Sequence, residues 1–188
     1  PGQGVGAGVI DNGRLLTGSM GFAGEIGHMS IRYDGPRCEC GNYGCLEGYC
    51  STLAIQKRVK ELAEEYPETM CTEECGITEI LEAYSKGDPL AGLVIDDAAR
   101  YLGYGIANIA NLYNPEKIII GDELSKAGER FLNIVKESAK ERILPKVYDN
   151  MNIVFSSLPD SVLSGACLLL IEEMVKTPDS FRRAAADK

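Results

Sequence analysis

The sequence lacks the features that mark several classes of protein. Its longest apolar run, at residues 166–171, falls far short of the roughly 20 residues that span a bilayer, and no charged-then-apolar leader opens the chain. Lysine and arginine total 19 against 28 aspartate and glutamate, which gives a formal net charge of −9. We therefore expect no membrane span and no visible secretion signal, and this segment is not expected to bind nucleic acid through its own surface.

Histidine is almost absent, with one in the chain, whereas seven cysteines occur in 188 residues. An odd number of cysteines makes a poor disulfide framework, and the chain has no Asn-x-Ser/Thr glycosylation site. These features favour an intracellular, cytoplasmic protein in which some thiols bind metal. With 45% hydrophobic and 25% charged residues, the composition is that of one globular domain with a substantial core.

The order of the expected elements indicates an α/β fold. Residues 4–16 predict a β-hairpin with a turn at Asp11-Asn12-Gly13, and residues 17–46 are rich in the glycines and turn formers of loops that carry a site. Further along, strands and helices alternate, which indicates helices packed on a mixed sheet. The patterns predict helices over 47–66, 77–85, 89–113, 125–142 and 161–175, a buried strand over 117–121 and another strand over 152–155.

The longest predicted helix carries one broad apolar stripe, from Leu90 to Leu112, at three-and-four spacing. Asp88-Pro89 supplies an N-cap and a first-turn proline. Gly103 and Gly105 interrupt the helix, and helical glycines usually mark close packing against a backbone or a ligand. The sequence leaves open whether the stripe faces the core or a subunit interface.

One short segment concentrates metal-binding residue types around the single histidine, His28, which is followed by Cys38, Cys40 and Cys45. Three thiolates and one imidazole are the ligand set of a closed, tetrahedral zinc site, and such a site is structural because no position is left for water. Two glycines within the run would let the chain curl so that the sulfurs converge. The alternative is a buried histidine beside reduced core cysteines.

The cysteines outside this segment give weaker evidence of metal binding. Cys71 and Cys75 could form a second metal half-site, but no histidine remains to complete it, so buried or free thiols are the expectation. Cys167 lies on a predicted apolar helix and is expected in the core.

The run Glu25-Ile26-Gly27-His28, followed by Cys38-x-Cys40-Gly41-x-x-Gly44-Cys45-x-Glu47, resembles the paired signature of the ROK family of bacterial sugar kinases and sugar-responsive transcriptional repressors. The resemblance implies the ribonuclease H-like fold of the actin and hexokinase superfamily, with a zinc-braced loop. It further implies that residues 1–175 are the C-terminal portion of a larger two-domain protein, with a sugar- and zinc-binding part at 17–47. Residues 176–188 show no periodic pattern, which predicts a flexible tail.

The resemblance also implies a sugar site. In similar proteins, residues at the positions of Glu25, His28 and Glu47 hydrogen-bond the hydroxyls of a bound sugar. The chemistry is reasonable, because a carboxylate is a two-oxygen acceptor that can bind vicinal hydroxyls, and an imidazole bound to metal through one nitrogen keeps the other for a hydroxyl. From spacing alone, Glu25 and Glu47 could equally be capping or surface carboxylates.

The positions that bind the nucleotide in similar kinases distinguish the kinases of the family from its repressors. Similar kinases carry a Gly-Thr-Gly step in the first hairpin and a glycine run after the strand that ends at Gly121, so that the backbone can approach phosphates. In a kinase the glycines at 4, 6, 8 and 121 would have this role. Here Gln3 replaces the threonine, and Asp122-Glu123 brings two carboxylates where an anionic nucleotide would lie, which favours the repressor branch. The alternatives are that Asp122 caps the next helix and that Glu123 faces solvent.

The hypothesis is therefore the effector-binding and oligomerisation domain of a ROK-type transcriptional regulator, with structural Zn²⁺ and no catalytic residue in this chain. A sugar or amino-sugar would be the effector, a winged helix preceding residue 1 would bind DNA, and the protein would form a homodimer or higher oligomer. The competing hypothesis is a glucokinase, fructokinase or N-acetylhexosamine kinase that uses ATP and Mg²⁺. A third is a zinc-stabilised scaffold without sugar binding.

Overall fold

The computed structural model describes residues 4–158 and 160–177, and it contains the alternation of helices and strands that the sequence predicts. Its strands are β1 (Ile10–Asp11), β2 (Arg14–Leu15), β3 (Lys117–Ile120) and β4 (Asn152–Phe155). Its α-helices are α1 (Glu47–Cys50), α2 (Thr52–Leu62), α3 (Ile77–Ser85), α4 (Pro89–Tyr113), α5 (Gly128–Lys140), α6 (Pro145–Tyr148) and α7 (Ser161–Lys176). Short 3₁₀ turns cover Ile26–His28, Ala63–Glu65 and Glu123–Ala127.

Lys176, which the sequence assigned to the flexible tail, is the last residue of α7, and the rest of that tail from residue 178 lies outside the described residues. Among the helices of the described part, none has the length and apolarity that crossing a bilayer requires.

Helix α4 lies at the centre of the hydrophobic core, with α1, α2, α3 and α5 packed against it. Most of its apolar stripe is buried, so the stripe belongs to the core, although Leu112 at its end is 75% exposed. Both helical glycines lie at close contacts, as the sequence predicts. A Cβ atom at Gly103 would lie 2.7 Å from the carbonyl oxygen of Val135 in α5, and one at Gly105 would lie 2.4 Å from the side chain of Leu46.

The helix predicted over residues 47–66 is in fact two helices, α1 and α2. At Ser51 the backbone is extended, with φ −70° and ψ 158°, and the hydroxyl accepts a hydrogen bond of 3.1 Å from the backbone N–H of Ala54. A serine that satisfies a first-turn N–H in this way starts a new helix instead of continuing the old one. As a result Glu47 lies in its own short helix, which follows the cysteine run directly.

The strands form two separate pairs in the described residues, so the prediction of one mixed sheet is wrong. Strands β1 and β2 pair in an antiparallel hairpin in which Asn12 and Gly13 both have positive φ, as a type I′ turn requires. Strands β3 and β4 pair in parallel, with Ile118 opposite Ile153. Helix α5 connects them in sequence and packs against β4, which gives a β-α-β unit.

Two burial predictions are also wrong. Strand β3 is covered on one face only, because Ile120 is buried while Ile119 is 61% exposed. Cys167 is exposed, since no residue of α7 is buried and Leu168 to Ile171 all have solvent-exposed side chains. The apolar composition that predicted a core helix is present, but the described residues provide no layer that covers it.

Candidate functional site

The segment between the hairpin and α1 folds back on itself through backbone pairing. The 3₁₀ turn Ile26–His28 is followed by an extended stretch in which Ser30 forms an antiparallel bridge with Cys45. The N–H of Leu46 donates to the carbonyl of Met29 at 2.9 Å, so the histidine turn and the last cysteine are held side by side. We call residues 26–46 the cysteine loop.

The cysteine loop brings together the four metal ligands that the sequence predicts. The ligand atoms of His28, Cys38, Cys40 and Cys45 all lie within 4.8 Å of one another. Nδ1 of His28 lies 3.7 Å from Sγ of Cys38, and Sγ of Cys40 lies 3.7 Å from Sγ of Cys45. A tetrahedron of sulfurs bound at about 2.3 Å has edges of about 3.8 Å, so these separations suit a metal of the size and geometry of Zn²⁺.

The thiols differ in their electrostatic environment. Burial raises the pKa of Cys45 to about 12, and the neighbouring sulfurs of Cys38 and Cys40 contribute to this rise. Cys40 is exposed, and a hydrogen bond from the backbone N–H of Asn42 lowers its pKa. Because a metal binds thiolates, a cation at this cluster would displace the proton that Cys45 otherwise keeps, so binding is coupled to proton release.

Gly44 is required for the closure of the cysteine loop. Its φ is +64°, and a Cβ atom would lie 1.6 Å from the carbonyl oxygen of Arg32. The carbonyl of Gly44 in turn accepts the N–H of Ile31 at 2.9 Å. A side chain at this position would therefore push the two arms of the loop apart and move Cys45 away from the other ligands.

Within the described part of the chain, His28, Cys38, Cys40 and Cys45 form the one cluster of potential metal ligands. Cys71 is buried and Cys75 is half-buried, both are free thiols, and no third metal-ligating residue joins them in the parts of the chain described here. Sγ of Cys75 accepts the backbone N–H of Thr72 at 3.1 Å.

Glu47 joins the cysteine loop to the glycine-rich segment at the start of the chain. Its Oε2 accepts the backbone N–H of Val5 at 3.0 Å, and a Cβ atom at Gly4 would lie 2.4 Å from that oxygen. Glycine at position 4 therefore leaves room for a carboxylate. Glu47 lies in the first turn of α1, where a negative charge is favourable, but its side chain also makes this contact with a distant segment of the chain.

Glu25 lies directly before the turn that contains His28, and its side chain is exposed. It makes no capping hydrogen bond to that turn. The 3₁₀ turn and α1 are in contact, so the structure places Glu25, His28 and Glu47 on two adjoining elements.

The glycines proposed for the nucleotide side lie on two different parts of the fold. Gly4, Gly6 and Gly8 precede β1, where the N–H of Ala7 donates to the carbonyl of Gly24 at 2.9 Å. Gly121 follows β3 in the other sheet. Gln3, the first of the two positions at which the sequence departs from similar kinases, lies outside the described residues.

The backbone after Gly121 is unusual. Asp122 has φ 55° and ψ −150°, which is a conformation that glycine adopts readily and other residues adopt rarely. Its side chain makes no capping hydrogen bond, so the capping alternative is wrong. The partly exposed side chain of Glu123 forms a 2.8 Å ion pair on the surface between its Oε2 and Nζ of Lys126.

Sequence reasoning missed Tyr49, which lies in α1 directly after the cysteine loop. Its ring stacks on Tyr101 of α4 with centroids 4.3 Å apart, and a Cβ atom at Gly35 would lie 2.2 Å from its hydroxyl. Among the residues that the structure describes, this hydroxyl is the one buried side-chain oxygen or nitrogen without a hydrogen-bond partner. Nothing in the local pattern marks Tyr49, because its ring partner comes from a distant part of the chain.

Comparison with known proteins agrees with these features. The model of the ROK family matches residues 2–173. The chain is 38% identical over 174 residues to the DNA-binding transcriptional dual regulator NagC of Escherichia coli, which covers 92% of this chain and 43% of NagC. It is 36% identical over 181 residues to a glucokinase of Halalkalibacterium halodurans, covering 92% of this chain and 55% of the enzyme. The chain spans about half the length of these curated relatives.

Solved structures have the same fold. A ROK family transcriptional regulator, a homolog of the E. coli MLC protein, superposes with a TM-score of 0.77 at 39% identity, over 81% of this chain and 39% of that one. A ROK family glucokinase from Streptomyces griseus, in complex with glucose and AMPPNP, superposes with a TM-score of 0.71 at 32% identity, over 81% of this chain and 52% of the enzyme. These neighbours confirm the α/β fold of the actin and hexokinase type, and with the family match over residues 2–173 the conclusion is that this chain belongs to the ROK family.

Proposed function

We propose that this chain is the sugar-sensing and oligomerisation part of a ROK-type transcriptional regulator. A sugar or amino-sugar effector binds at Glu25, His28 and Glu47. Structural Zn²⁺ is held by His28, Cys38, Cys40 and Cys45. DNA is bound by a winged helix elsewhere in the protein, which works in the cytoplasm as a homodimer or higher oligomer.

The proposed metal site supports the proposed sugar site through His28. Nδ1 of His28 faces the cysteine sulfurs, at 3.7 Å from Sγ of Cys38, which leaves Nε2 as the ring nitrogen for a ligand. Zn²⁺, when bound, would fix the tautomer and the orientation of this imidazole. His28 would then present one N–H to a sugar hydroxyl in a constant direction.

Glu47 supplies the complementary acceptor. Its Oε2 is held by the N–H of Val5, and among the described residues Oε1 makes no hydrogen bond. One carboxylate oxygen is thus anchored while the other can accept from a hydroxyl. An anchored carboxylate next to a fixed imidazole discriminates between hydroxyl orientations, which is how a sugar site reads stereochemistry.

The observation that favours a regulator over a kinase is the backbone at Asp122. A residue other than glycine occupies a conformation suited to glycine, and the carboxylates of Asp122 and Glu123 follow the strand where the family resemblance implies a phosphate-binding glycine run. Carboxylates near a triphosphate reduce its binding unless a metal intervenes. This arrangement supports effector binding without ATP use.

Binding of sugar would act by allostery. An effector changes DNA affinity only if it prefers one of two arrangements of the sensing and DNA-binding domains. Both Glu47 and the cysteine loop contact the central helical core through α1, so a change at the site can reach α4. The coupling would be reciprocal, and operator DNA would change sugar affinity by the same factor.

Isothermal titration calorimetry on this chain, loaded with zinc, tests the sugar site with glucose, xylose and N-acetylglucosamine. We expect one sugar to bind, and Glu47→Gln to weaken it by about ten- to a hundredfold, because a hydrogen bond to a charged group contributes about 1.5–3 kcal/mol. Glu129→Gln, an exposed change in the first turn of α5, is the matched control. Equal affinity of wild type and Glu47→Gln for every sugar would exclude this site.

The glucokinases among the relatives favour a second candidate function, a sugar kinase that uses ATP and Mg²⁺. The full-length gene product, incubated with the bound sugar and Mg-ATP, distinguishes the two. A regulator forms no sugar phosphate and shifts operator DNA in a sugar-dependent way. Stoichiometric production of ADP and sugar phosphate would instead establish the kinase, and sedimentation velocity on the same sample measures the oligomeric state.

A further inference from the structure

A groove lies between the cysteine loop and helix α4, and none of the proposed sugar-binding residues lines it. Its volume is about 330 Å³, which is in the range of small-molecule sites. Its polar and aromatic lining consists of Ser30, Arg32, Tyr101, Tyr104, Asn108 and Arg142. Of the described residues that line the groove, none carries a carboxylate, although the chain as a whole has a net charge of −9.

Arg142 is held in place before any ligand arrives. Its guanidinium carbon lies 3.7 Å from the centroid of the Tyr104 ring, in a cation–π contact. The side chain of Asn111 in α4 donates to the carbonyl of Arg142 at 2.9 Å and accepts the N–H of Leu144 at 3.1 Å, which ties this segment to the helix. A guanidinium stacked on a ring keeps its in-plane N–H donors for an oxyanion.

Arg32 enters the groove from the cysteine loop. Its backbone is fixed by close contact of its carbonyl with Gly44. Its guanidinium interacts with the Tyr101 side chain of the same groove and forms a long, exposed ion pair of 3.4 Å with Asp34, and both neighbours raise its pKa. Arg142 has a similarly exposed pair with Glu141 at 3.0 Å. Exposed pairs of this kind contribute little, so both guanidiniums can exchange these carboxylates for a ligand.

The floor of the groove is a chain of aromatic rings. Tyr101 stacks on Tyr49, and Tyr104 meets Tyr101 edge to face with centroids 5.9 Å apart. Asn108, about one turn further along α4, has only a weak contact of 4.0 Å from its amide nitrogen to the sulfur of Met29. The groove therefore combines two cations, a nearly free amide donor and an apolar wall.

We propose that this groove binds a small phosphorylated ligand of about the size of a hexose phosphate. Two guanidiniums from different parts of the chain offer more donors than a single carboxylate can accept, whereas a phosphate monoester presents three acceptor oxygens and carries nearly two charges. The tyrosine rings provide a surface for the body of the ligand. This site is separate from the proposed sugar site and does not depend on it.

Calorimetry on the zinc-loaded chain tests the proposal with glucose 6-phosphate, glucose and inorganic phosphate as probes. We expect glucose 6-phosphate to bind, and to bind more weakly as ionic strength rises. Arg142→Gln and Arg32→Gln are each expected to reduce its affinity by about ten- to a hundredfold. Arg100→Gln changes an exposed arginine of α4 that does not line the groove, and it should leave the affinity unchanged.

Competition measurements and the Glu47→Gln variant distinguish binding in this groove from binding at the proposed sugar site. Inorganic phosphate should compete with glucose 6-phosphate, whereas glucose should not. Glu47→Gln should not change the affinity for glucose 6-phosphate. Loss of binding in Glu47→Gln with retention in both arginine variants would overturn the proposal, because the phosphorylated sugar would then occupy the other site. Absence of any heat with glucose 6-phosphate at millimolar concentration would also overturn it.

Discussion

The cysteine loop and the helical core differ in how much apolar surface they bury. In the loop, residues 26–46, most side chains are exposed or half-buried, and Cys45 and Leu46 are its buried large side chains. In the core, Leu90, Ile95 and Phe131 are 0% exposed and pack with many neighbours. The helices can therefore fold through burial of apolar surface, whereas the loop is held by backbone pairing and, in the proposed function, by zinc.

Removal of one metal ligand should break the loop and leave the core intact. Cys40 is exposed, so Cys40→Ser removes a ligand without removing core packing. We expect loss of zinc and a fall of about 4 kcal/mol or more in the stability of the loop, well above an ordinary surface change. Metal analysis and amide hydrogen exchange measure this, with fast exchange confined to the loop.

Cys167→Ser is the matched control, because Cys167 is an exposed thiol in α7, away from the cluster. It should keep one zinc per chain and the exchange rates of the wild type. A wild-type protein that carries less than stoichiometric zinc, and whose melting temperature does not change with a chelator, would contradict the metal site.

A substitution in the helical core should destabilise the protein to the same extent with and without zinc. Phe131 in α5 is 0% exposed, and Phe131→Ala is expected to lower the free energy of unfolding by about 3–5 kcal/mol, through lost burial and a cavity. The loss should be the same in zinc-loaded and chelated protein, as measured by urea denaturation. A loss that disappears after chelation would mean that core and loop are one cooperative unit.

A third region, at the start of α4, is held by a buried carboxylate. Asp88, 4% exposed, caps α4 by accepting the N–H of Ala91 at 2.9 Å. It also accepts the hydroxyl of Thr69 at 2.8 Å and the N–H of Met70 at 2.6 Å, which fastens the preceding loop. Burial raises the pKa of Asp88, but these hydrogen bonds outweigh burial and lower it below the usual value.

Asp88→Asn should therefore cost about 2–3 kcal/mol at neutral pH, because one amide cannot accept all of these donors. Since the folded pKa is depressed, the contribution of Asp88 is present above the unfolded pKa of about 3.9 and is lost as pH falls through the folded value. The difference in unfolding free energy between wild type and variant should shrink on acidification. A difference that stays constant from neutral pH to about pH 2.5, well below the unfolded pKa, would exclude an ionised Asp88.

The cysteine loop was the part most fully predictable from sequence. Local spacing determines it, because His28 and three cysteines lie close along the chain and glycine is required at Gly44. The hairpin turn and the ends of α4 were also predictable, since Asn12-Gly13 and Asp88-Pro89 favour these conformations locally.

Features that depend on distant neighbours were not predictable. The break at Ser51 was missed because the apolar period continues through it. Cys167 was placed in the core because its helix is apolar, although nothing in the described residues covers that helix. The groove between Arg32 and Arg142 depends on two segments far apart in sequence, and no local pattern indicates it.

The smallest expected effect concerns Asp122, which belongs to neither the loop nor the core. Its φ of 55° and ψ of −150° cost about 1–3 kcal/mol for a residue with a Cβ atom, while glycine loses about 0.5–1 kcal/mol more entropy on folding. Asp122→Gly should thus stabilise the protein by about 1 kcal/mol, equally with and without zinc. Asn114→Gly is the control, because asparagine tolerates the left-handed φ of 46° at the end of α4 and little gain is expected. If urea denaturation shows Asp122→Gly to be destabilising, the Asp122 side chain must make a favourable contact that outweighs the strain in its backbone.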